Sequence, residues 1–564
     1  MAIGKEGNVK WVDGLRGIAS TLVVIKHIVC AFFPYLLWPA PGPEESPVLL
    51  ERPYFRVFVQ GRIGVAIFSF VTGYVVALKP TKNFRAGNQT SSFNSISRSA
   101  LRRVPRLVLP VLLILTLSCL ATQLGAFETA NHCDGAGLPE TSPDRQDNWL
   151  VAAYVLLQDM VRVWSHGESH YGAELWTMMP IMKGAFWVYV YLLATAYVQT
   201  KYRMMIAMAL TLFRLTANDP FFGMQFFFGA FMADLQQLPE GSGPSWTRFL
   251  SQKSGLAGLR MALSATFLLI GLFIASLPDM YFEWQPWSEG LADFMRSILP
   301  RDPDLPRFSS GLGLDLIVMA IHFSPTVRDV LSSKPFLWLG RVSFAVYLLH
   351  NQFLRSVLCW MVYGFRIPEP VQDDVTGEWY QPLLEFPGPM RLFAVLPVYF
   401  ALIYGAGYLW IEYVDSACAR LTERVCKSIK DEEDEKSGPP LLPVADGQGG
   451  RTDRCSLPST AAATSQPNLD ADPRHTVSLR SKTAWGSRWL SIDRPLYQGS
   501  SSFYPLEQNR PRPTAERSRR GSTGTSCRRC GGSPARAAGA WSVLHCHSLA
   551  AANAVILAGL ARAD

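Results

Sequence analysis

Apolar residues in this chain are gathered into unbroken blocks and do not alternate with polar ones. Windows of about 19 residues pick out ten blocks, at 17–38, 61–78, 104–124, 181–200, 203–217, 221–238, 259–277, 309–324, 341–363 and 391–413, each closed by charges or by Gly and Pro. Most have about the length a helix needs to cross a hydrocarbon layer of about 30 Å, while the fifth and eighth are short. A transmembrane β-barrel would show alternation, so the pattern predicts an all-α polytopic membrane protein, a bundle of about ten transmembrane helices. From Asp431 the pattern stops: Asp431, Glu432, Glu433, Asp434 and Glu435 are followed by Pro, Gly, Ser, Arg and Gln without periodicity. Such a segment buries too little apolar area to offset chain entropy and is expected to be a disordered tail. The expected organisation is an integral-membrane domain over 1–430 and a low-complexity tail over 431–564, in which the Ala-rich 537–561 is a candidate surface-lying helix or further span.

Composition agrees with a membrane location. Of 564 residues, 49% are hydrophobic and only 17% charged, against about a quarter charged in soluble domains. The ten cysteines are scattered, and Cys30, Cys119 and Cys359 lie inside apolar blocks, so no disulfide framework is implied. The net charge of +8 is informative only through its placement. Lys79, Lys82, Arg85, Arg98, Arg102, Arg103 and Arg106 lie between blocks two and three with no acidic residue among them. The positive-inside rule therefore puts that connection, and both termini of the 1–430 domain, in the cytoplasm. Lys201 and Arg203, then Arg248, Lys253 and Arg260, then Arg328, Lys334 and Arg341 agree. The opposite connections carry Asp134, Glu140, Asp144, Asp147 and Glu168, then Asp279, Glu283, Glu289 and Asp293, then Asp373, Asp374, Glu378 and Glu385.

Ionisable groups inside spans are costly and mark candidate sites. Asp13, Arg16, Lys26 and His27 belong to or flank the first block. At about 100° per residue, Arg16 and His27 return to within about 20° of one face, about 16 Å apart along the axis, so they can line one cavity without touching. Asp13, one turn before Arg16, can pair with it. A snorkelling Arg and a packed His are the alternative. His350 faces away from Arg341 on an ideal helix and is expected to hydrogen-bond a neighbouring span, with a direct role as the alternative. Asp315 is a candidate partner for a His or Arg across the bundle. Trp38, Trp176, Trp338 and Trp410 are expected as interfacial anchors. In the tail, Cys527, Cys530, His545, Cys546 and His547 have poor spacing for zinc, so no metal site is expected; Arg519-Arg520-Gly521-Ser522 is a candidate phosphorylation site. Phosphate-binding Gly loops, a Gly-x-Ser-x-Gly elbow and nucleic-acid patches are not found.

The segment Val12-Asp13-Gly14-Leu15-Arg16-Gly17-Ile18-Ala19, continuing to Lys26-His27, resembles the opening signature of the acyltransferase 3 family, in which an Arg and a His are separated by ten residues. Similar motifs follow in order: Gly64 to Tyr74, the basic run Arg98 to Pro110, Leu175-Trp176-Thr177, Phe227 to Ala233, Phe336 to His350, and Trp410 to Asp415 with Glu412. The resemblance covers roughly residues 10–425 and is closest in flavour to fungal members, some of which act in secondary metabolism. It implies transfer of an acyl group from an acyl-CoA donor to a hydroxyl of a carbohydrate, lipid or secondary-metabolite acceptor. No resident cofactor is implied, the donor being a substrate, and the partners are donor, small hydroxylated acceptor and bilayer, with no nucleic acid.

With that resemblance, His27 becomes the candidate general base, with Arg16 and Asp13 beside it in the catalytic set. Arg62, Arg102, Arg103, Arg106, Trp176, Arg341 and His350 become candidate substrate-binding residues, with Arg16 and the basic run that includes Arg102, Arg103 and Arg106 as anchors for the donor's phosphates. One position departs from the family: five residues after Trp176, where many members carry Glu, this chain has Ile181, and Glu174 lies on the other side of the Trp. Use of another acid, a changed specificity and weak catalysis are all compatible with that. A transporter built on the same intramembrane charges, or a non-catalytic relative, are the rival readings.

Overall fold

The computed structural model describes residues 9–219, 221–238, 257–299, 303–365, 367–372 and 377–429. The tail beyond 430, with its candidate zinc and phosphorylation residues and the 537–561 stretch, lies outside the described residues, as do Arg248, Lys253, Asp373 and Asp374.

Helices dominate. In chain order the longer ones are α1 (Lys10–Phe32), α2 (Arg62–Arg85), α3 (Gln89–Gln123), α4 (Trp149–Ser165), α5 (Met178–Ala194), α6 (Thr200–Thr216), α7 (Gly223–Gln236) and α8 (Ala257–Ala275). They are followed by α9 (Pro286–Ile298), α10 (Leu305–Phe323), α11 (Pro325–Leu331), α12 (Lys334–Phe353), α13 (Cys359–Tyr363), α14 (Pro389–Trp410) and α15 (Ser416–Ser428). One two-residue antiparallel ladder, Val371–Gln372 with Trp379–Tyr380, lies in the connection before α14. Helix starts follow local chemistry: the Asn88 carboxamide accepts from Ser91 N at 3.0 Å, Asn148 from Val151 N at 2.9 Å, and Asp304 from Arg307 N at 3.1 Å, each satisfying an N–H that the helix itself leaves open.

A helix stands at each of the ten predicted blocks, but six stretches are long and apolar enough to cross a bilayer, or seven if α10 and α11, bent by 105°, count as one. The difference has a physical cause. α7, at 14 residues, is only about 21 Å long. It is apolar because it is enclosed by other helices, with Phe226, Phe227, Phe228, Met232 and Leu235 all buried; uniform apolarity reads alike for a spanning helix and an enclosed one. Conversely, α4 lies outside the ten blocks, because Asp159 and Arg162 interrupt its apolar run. Asp159 is nearly fully buried and accepts bonds from Ser169 Oγ at 2.8 Å, His170 N at 2.8 Å and Tyr171 N at 3.1 Å.

Close helix packing depends on glycine. α1 and α12 approach so tightly that a Cβ on Gly340 would lie 2.0 Å from the Asp13 carbonyl oxygen and one on Gly17 2.6 Å from Gly340 N. α2 and α7 repeat the device: a Cβ on Gly73 would lie 2.1 Å from Phe226 O, and one on Gly229 2.4 Å from Phe70 O. Small residues allow backbones to touch where lipid provides no hydrophobic drive between helices.

Polar side chains then tie helix ends together. Arg203, expected as a loop charge, is buried and forks onto Asp234, Nε to Oδ2 at 2.7 Å and Nη2 to Oδ1 at 2.7 Å, while Arg85 also pairs with Asp234. The end of α2, the start of α6 and the end of α7 therefore meet, as the alternation of spans requires. Gln225 donates to Asp315 Oδ1 at 3.0 Å and to Gly311 O at 3.0 Å, so the named partner of Asp315 is a neutral amide and not the expected His or Arg. Trp410 is also corrected: it is buried, its indole donating to Asp415 at 3.0 Å. Trp338 stays 43% exposed.

Candidate active site

α1 brings its ionisable residues to two levels. At the first, Arg16 donates through Nη2 at 2.6 Å and Nε at 3.2 Å to the Gly340 carbonyl, and its Nη2 lies 3.7 Å from Asp13. The expected Asp13–Arg16 pair is present, and its guanidinium clasps α12 where the two backbones touch. At the second level, about 16 Å further along the axis, the His27 ring lies 4.8 Å from the ring of His350, centroid to centroid. The two helices run parallel, so one contact supports the other.

The two imidazoles differ in their bonding. His350 is fully buried, and its Nδ1 lies 2.6 Å from the carbonyl oxygen of Tyr347, one turn back in its own helix. A carbonyl can only accept, so Nδ1 carries the proton and Nε2 of the neutral ring is left with its lone pair; that atom is buried and without a hydrogen-bond partner. The bond to a neighbouring span expected of His350 is thus replaced by one within α12. His27 is partly exposed and makes no side-chain hydrogen bond among the described residues.

Glu174 stands behind His350. It sits in a single 3₁₀ turn, Ala173–Thr177, leading into α5, and this tight turn carries its side chain inward to 2% exposure. One carboxyl oxygen accepts from Asn351 Nδ2 at 2.6 Å and the other from Gln352 Nε2 at 3.2 Å. The Tyr347 hydroxyl donates to the Glu174 carbonyl at 2.8 Å and lies 2.7 Å from the Thr177 hydroxyl. Glu174 also lies within electrostatic reach of His350 and of the buried Arg355. A buried acid thus stands near His350 on the opposite side of Trp176 from Ile181, where sequence spacing gave no reason to look for it. Ile181 itself packs among apolar side chains.

A charged cluster flanks His27 on its other side. Lys26 Nζ donates to Asp279 Oδ2 at 2.9 Å; Arg62 pairs with the same carboxylate and donates to Leu277 O at 2.7 Å. Gly61, left-handed at φ 59°, makes this possible: a Cβ there would sit 2.4 Å from that of Lys26.

The remaining candidates lie elsewhere. Arg102 pairs with Glu423 of α15 at 2.8 Å and Arg106 with the same carboxylate at 3.6 Å; Arg103 meets Tyr189; Arg341 stands 3.6 Å from Glu412 with more than half its side chain exposed. Trp176 is packed edge-on to Phe222 at 5.8 Å, with the Arg307 guanidinium 5.4 Å from its ring centroid, an internal position in place of the expected interfacial one. The structure thus brings together His27 and His350, joins Arg62 to Lys26 through Asp279, and separately pairs Asp13 with Arg16. Glu174, Tyr347, Asn351, Gln352 and Asp279 were not among the sequence candidates; Asn351 and Gln352, following His350 directly, carried a usable signal as further polar residues inside an apolar block.

Comparison with known proteins gives a consistent result. A family model described as an acyltransferase domain matches residues 9–411. The chain is 24% identical over 375 residues to O-acetyltransferase PaAT-1 of Phomopsis amygdali, covering 62% of this chain and 72% of that one. It is 23% identical over 388 residues to acyltransferase clz18 of Cochliobolus lunatus, covering 60% and 81%, and 24% identical over 386 residues to acyltransferase R4 of a Phoma species, covering 60% and 81%. No solved structure matches.

Proposed function

The chain belongs to the acyltransferase 3 family and is an enzyme that transfers acyl groups; from that premise we propose that it is a membrane O-acyltransferase using an acyl-CoA-type thioester and the hydroxyl of a carbohydrate, lipid or secondary-metabolite acceptor. The observation that carries this reading is the pair of imidazoles, His27 partly exposed with no side-chain hydrogen bond among the described residues and His350 with its Nε2 unpartnered.

In this reading His27 accepts the proton of the acceptor hydroxyl while the oxygen attacks the thioester carbonyl. The C–O bond forms, the C–S bond breaks, and the proton passes from the imidazolium to the departing thiolate. Two imidazolium rings at 4.8 Å would repel, so the pair holds one extra proton at a time. His350 Nε2 accepts a bond from whatever hydroxyl stands beside His27, and Glu174 is a positioning residue that fixes α12 at that level through Asn351 and Gln352. Lys26 and Arg62, sharing Asp279, leave a net positive charge beside the base, favourable for the oxyanion of the tetrahedral intermediate. Arg16, Arg102, Arg103, Arg106 and Arg341 lie toward the opposite ends of α1, α3 and α12, where phosphates of a cytoplasmic donor would be held. The similarity to an O-acetyltransferase makes acetyl-CoA the first donor to try.

The test is incubation of membranes with radiolabelled acetyl-CoA and longer acyl-CoAs, scoring label in acceptor fractions. His27→Ala is expected to abolish transfer with membrane insertion unchanged; transfer that survives the substitution removes His27 as the base.

A further inference from the structure

Arg355 is a buried charge that the proposed reaction does not use. It lies in the π turn Leu354–Leu358 that continues α12 beyond His350 and is only 3% exposed, yet among the described residues its guanidinium makes no hydrogen bond, ion pair or ring contact. Other buried arginines are tied down: Arg56 donates to the carbonyls of Leu37, Trp38 and Glu51, and Arg203 forks onto Asp234. No nitrogen of Arg355 is sealed by packing without a partner, as Arg85 Nη1 is, so the guanidinium keeps a face open. Its place follows from helix geometry. Arg355 comes four residues after Asn351 and three after Gln352, and so shares the face through which those two amides reach Glu174. Glu174 engages the amides and forms no ion pair with it. On the same stretch His350 Nε2 and Gln352 Oε1 are buried acceptors without a partner. His27 and His350 both lie within electrostatic reach of Arg355, in agreement with that placement.

We propose that Arg355 binds a carboxylate of the acceptor, so that the molecule acylated beside His27 and His350 is a hydroxylated carboxylic acid. This rests on the reading of the two imidazoles as the place of acyl transfer. A guanidinium cannot escape the cost of burial by losing its proton, and a buried charge of this kind is matched by an anion. Its planar fork fits a carboxylate in a bidentate pair, and one cation balances one negative charge, whereas a phosphate dianion calls for more than one. The donor's phosphates do not fill this place, because Arg355 lies about 7 Å beyond His350 along the helix, on the side away from Arg16 and Arg341. Nor does the oxyanion of the tetrahedral intermediate account for it. The unpartnered atoms nearby, His350 Nε2 and Gln352 Oε1, are acceptors, which repel an oxyanion and receive the O–H or N–H groups of a ligand. A single acceptor then uses the whole stretch, its reacting hydroxyl at the imidazoles, a second donor group at Gln352 and its carboxylate at Arg355.

The test uses membranes containing the full chain, radiolabelled acetyl-CoA, and a metabolite extract of the source organism split on an anion exchanger into acidic and neutral fractions, with part of the acidic fraction converted to its methyl esters. The wild type is expected to label the acidic fraction and to label the methyl esters about 30-fold less efficiently, the usual scale for removing one partner of a buried charge pair. Arg355→Met should lower labelling of the acids by a similar factor, mostly through the acceptor KM, while leaving the esters at their wild-type level; Arg355→Lys, which keeps the charge without the fork, should fall between. A substitution that lowers acids and esters alike makes Arg355 a structural residue and overturns the proposal, as does a wild type that labels acids and esters equally. Label confined to the neutral fraction overturns the carboxylate and leaves acyl transfer standing, whereas label in no fraction removes both. Should Arg355→Met fail to accumulate, the comparison of acids with their esters in the wild type decides without it.

Discussion

Glu174 shows how little a linear motif says about a side chain's address. Counting from Trp176 points to Ile181, yet the acid near His350 stands two residues before the Trp, buried within the 3₁₀ turn Ala173–Thr177. Its two oxygens each take one amide donor, an arrangement a carboxamide cannot reproduce, since Gln offers one acceptor and sets an N–H against the remaining donor. Glu174→Gln is therefore expected to lower transfer about 10²-fold through displacement of the His350 level, with kcat falling more than the acceptor KM. The unsatisfied donor should also cost about 1–3 kcal/mol of stability. Steady-state kinetics and a thermal midpoint in detergent check both; unchanged kcat would leave Glu174 a structural residue only. The shared face of Arg16 and His27, by contrast, was legible from spacing alone, because both stand on one helix whose geometry is known in advance, and both meet α12.

Between helices, the deciding quantity is how near two backbones come. Gly340 has the Asp13 carbonyl where its Cβ would be, and the Arg16 guanidinium is bonded to the Gly340 carbonyl itself, so a side chain at this position pushes α1 from α12 and loosens the clasp together. Gly340→Val is expected to cost at least about 1–3 kcal/mol, the usual penalty of overpacking, and to lower transfer because His27 and His350 ride on the separated pair. Gly290→Ala on the exposed face of α9, where a Cβ meets nothing within 4 Å, serves as the control and should be neutral or stabilising by up to about 1 kcal/mol. Thermal midpoints of the two variants measured side by side test this; equal midpoints would refute it. The same consideration explains why an apolar block alone does not establish α7 as a span. Hydropathy registers that a helix avoids water and is blind to whether lipid or protein surrounds it.

For the molecule as a whole, alternating charge between successive connections predicts which helix ends belong together, and the Arg85–Asp234–Arg203 and Lys26–Asp279–Arg62 clusters join ends of matching parity. Asn88-Gln89-Thr90 is a potential N-glycosylation acceptor in the basic connection. If that connection is cytoplasmic, Asn88 carries no glycan, whereas an acceptor triplet engineered into 139–147 does; an endoglycosidase mobility shift reads both, and the reverse pattern would invert the orientation. The residues alone sufficed for the membrane class, the helical architecture and the Arg16–His27 face, since each depends on local composition or on the regular geometry of one helix; the acyl-transfer family came from the resemblance of its ordered motifs. The partnership of His27 with His350 and the approach of Glu174 to the same level of α12 emerged only on folding. Each joins positions more than a hundred residues apart, brought near by backbone contacts at glycine and by buried hydrogen bonds that no one-dimensional period encodes.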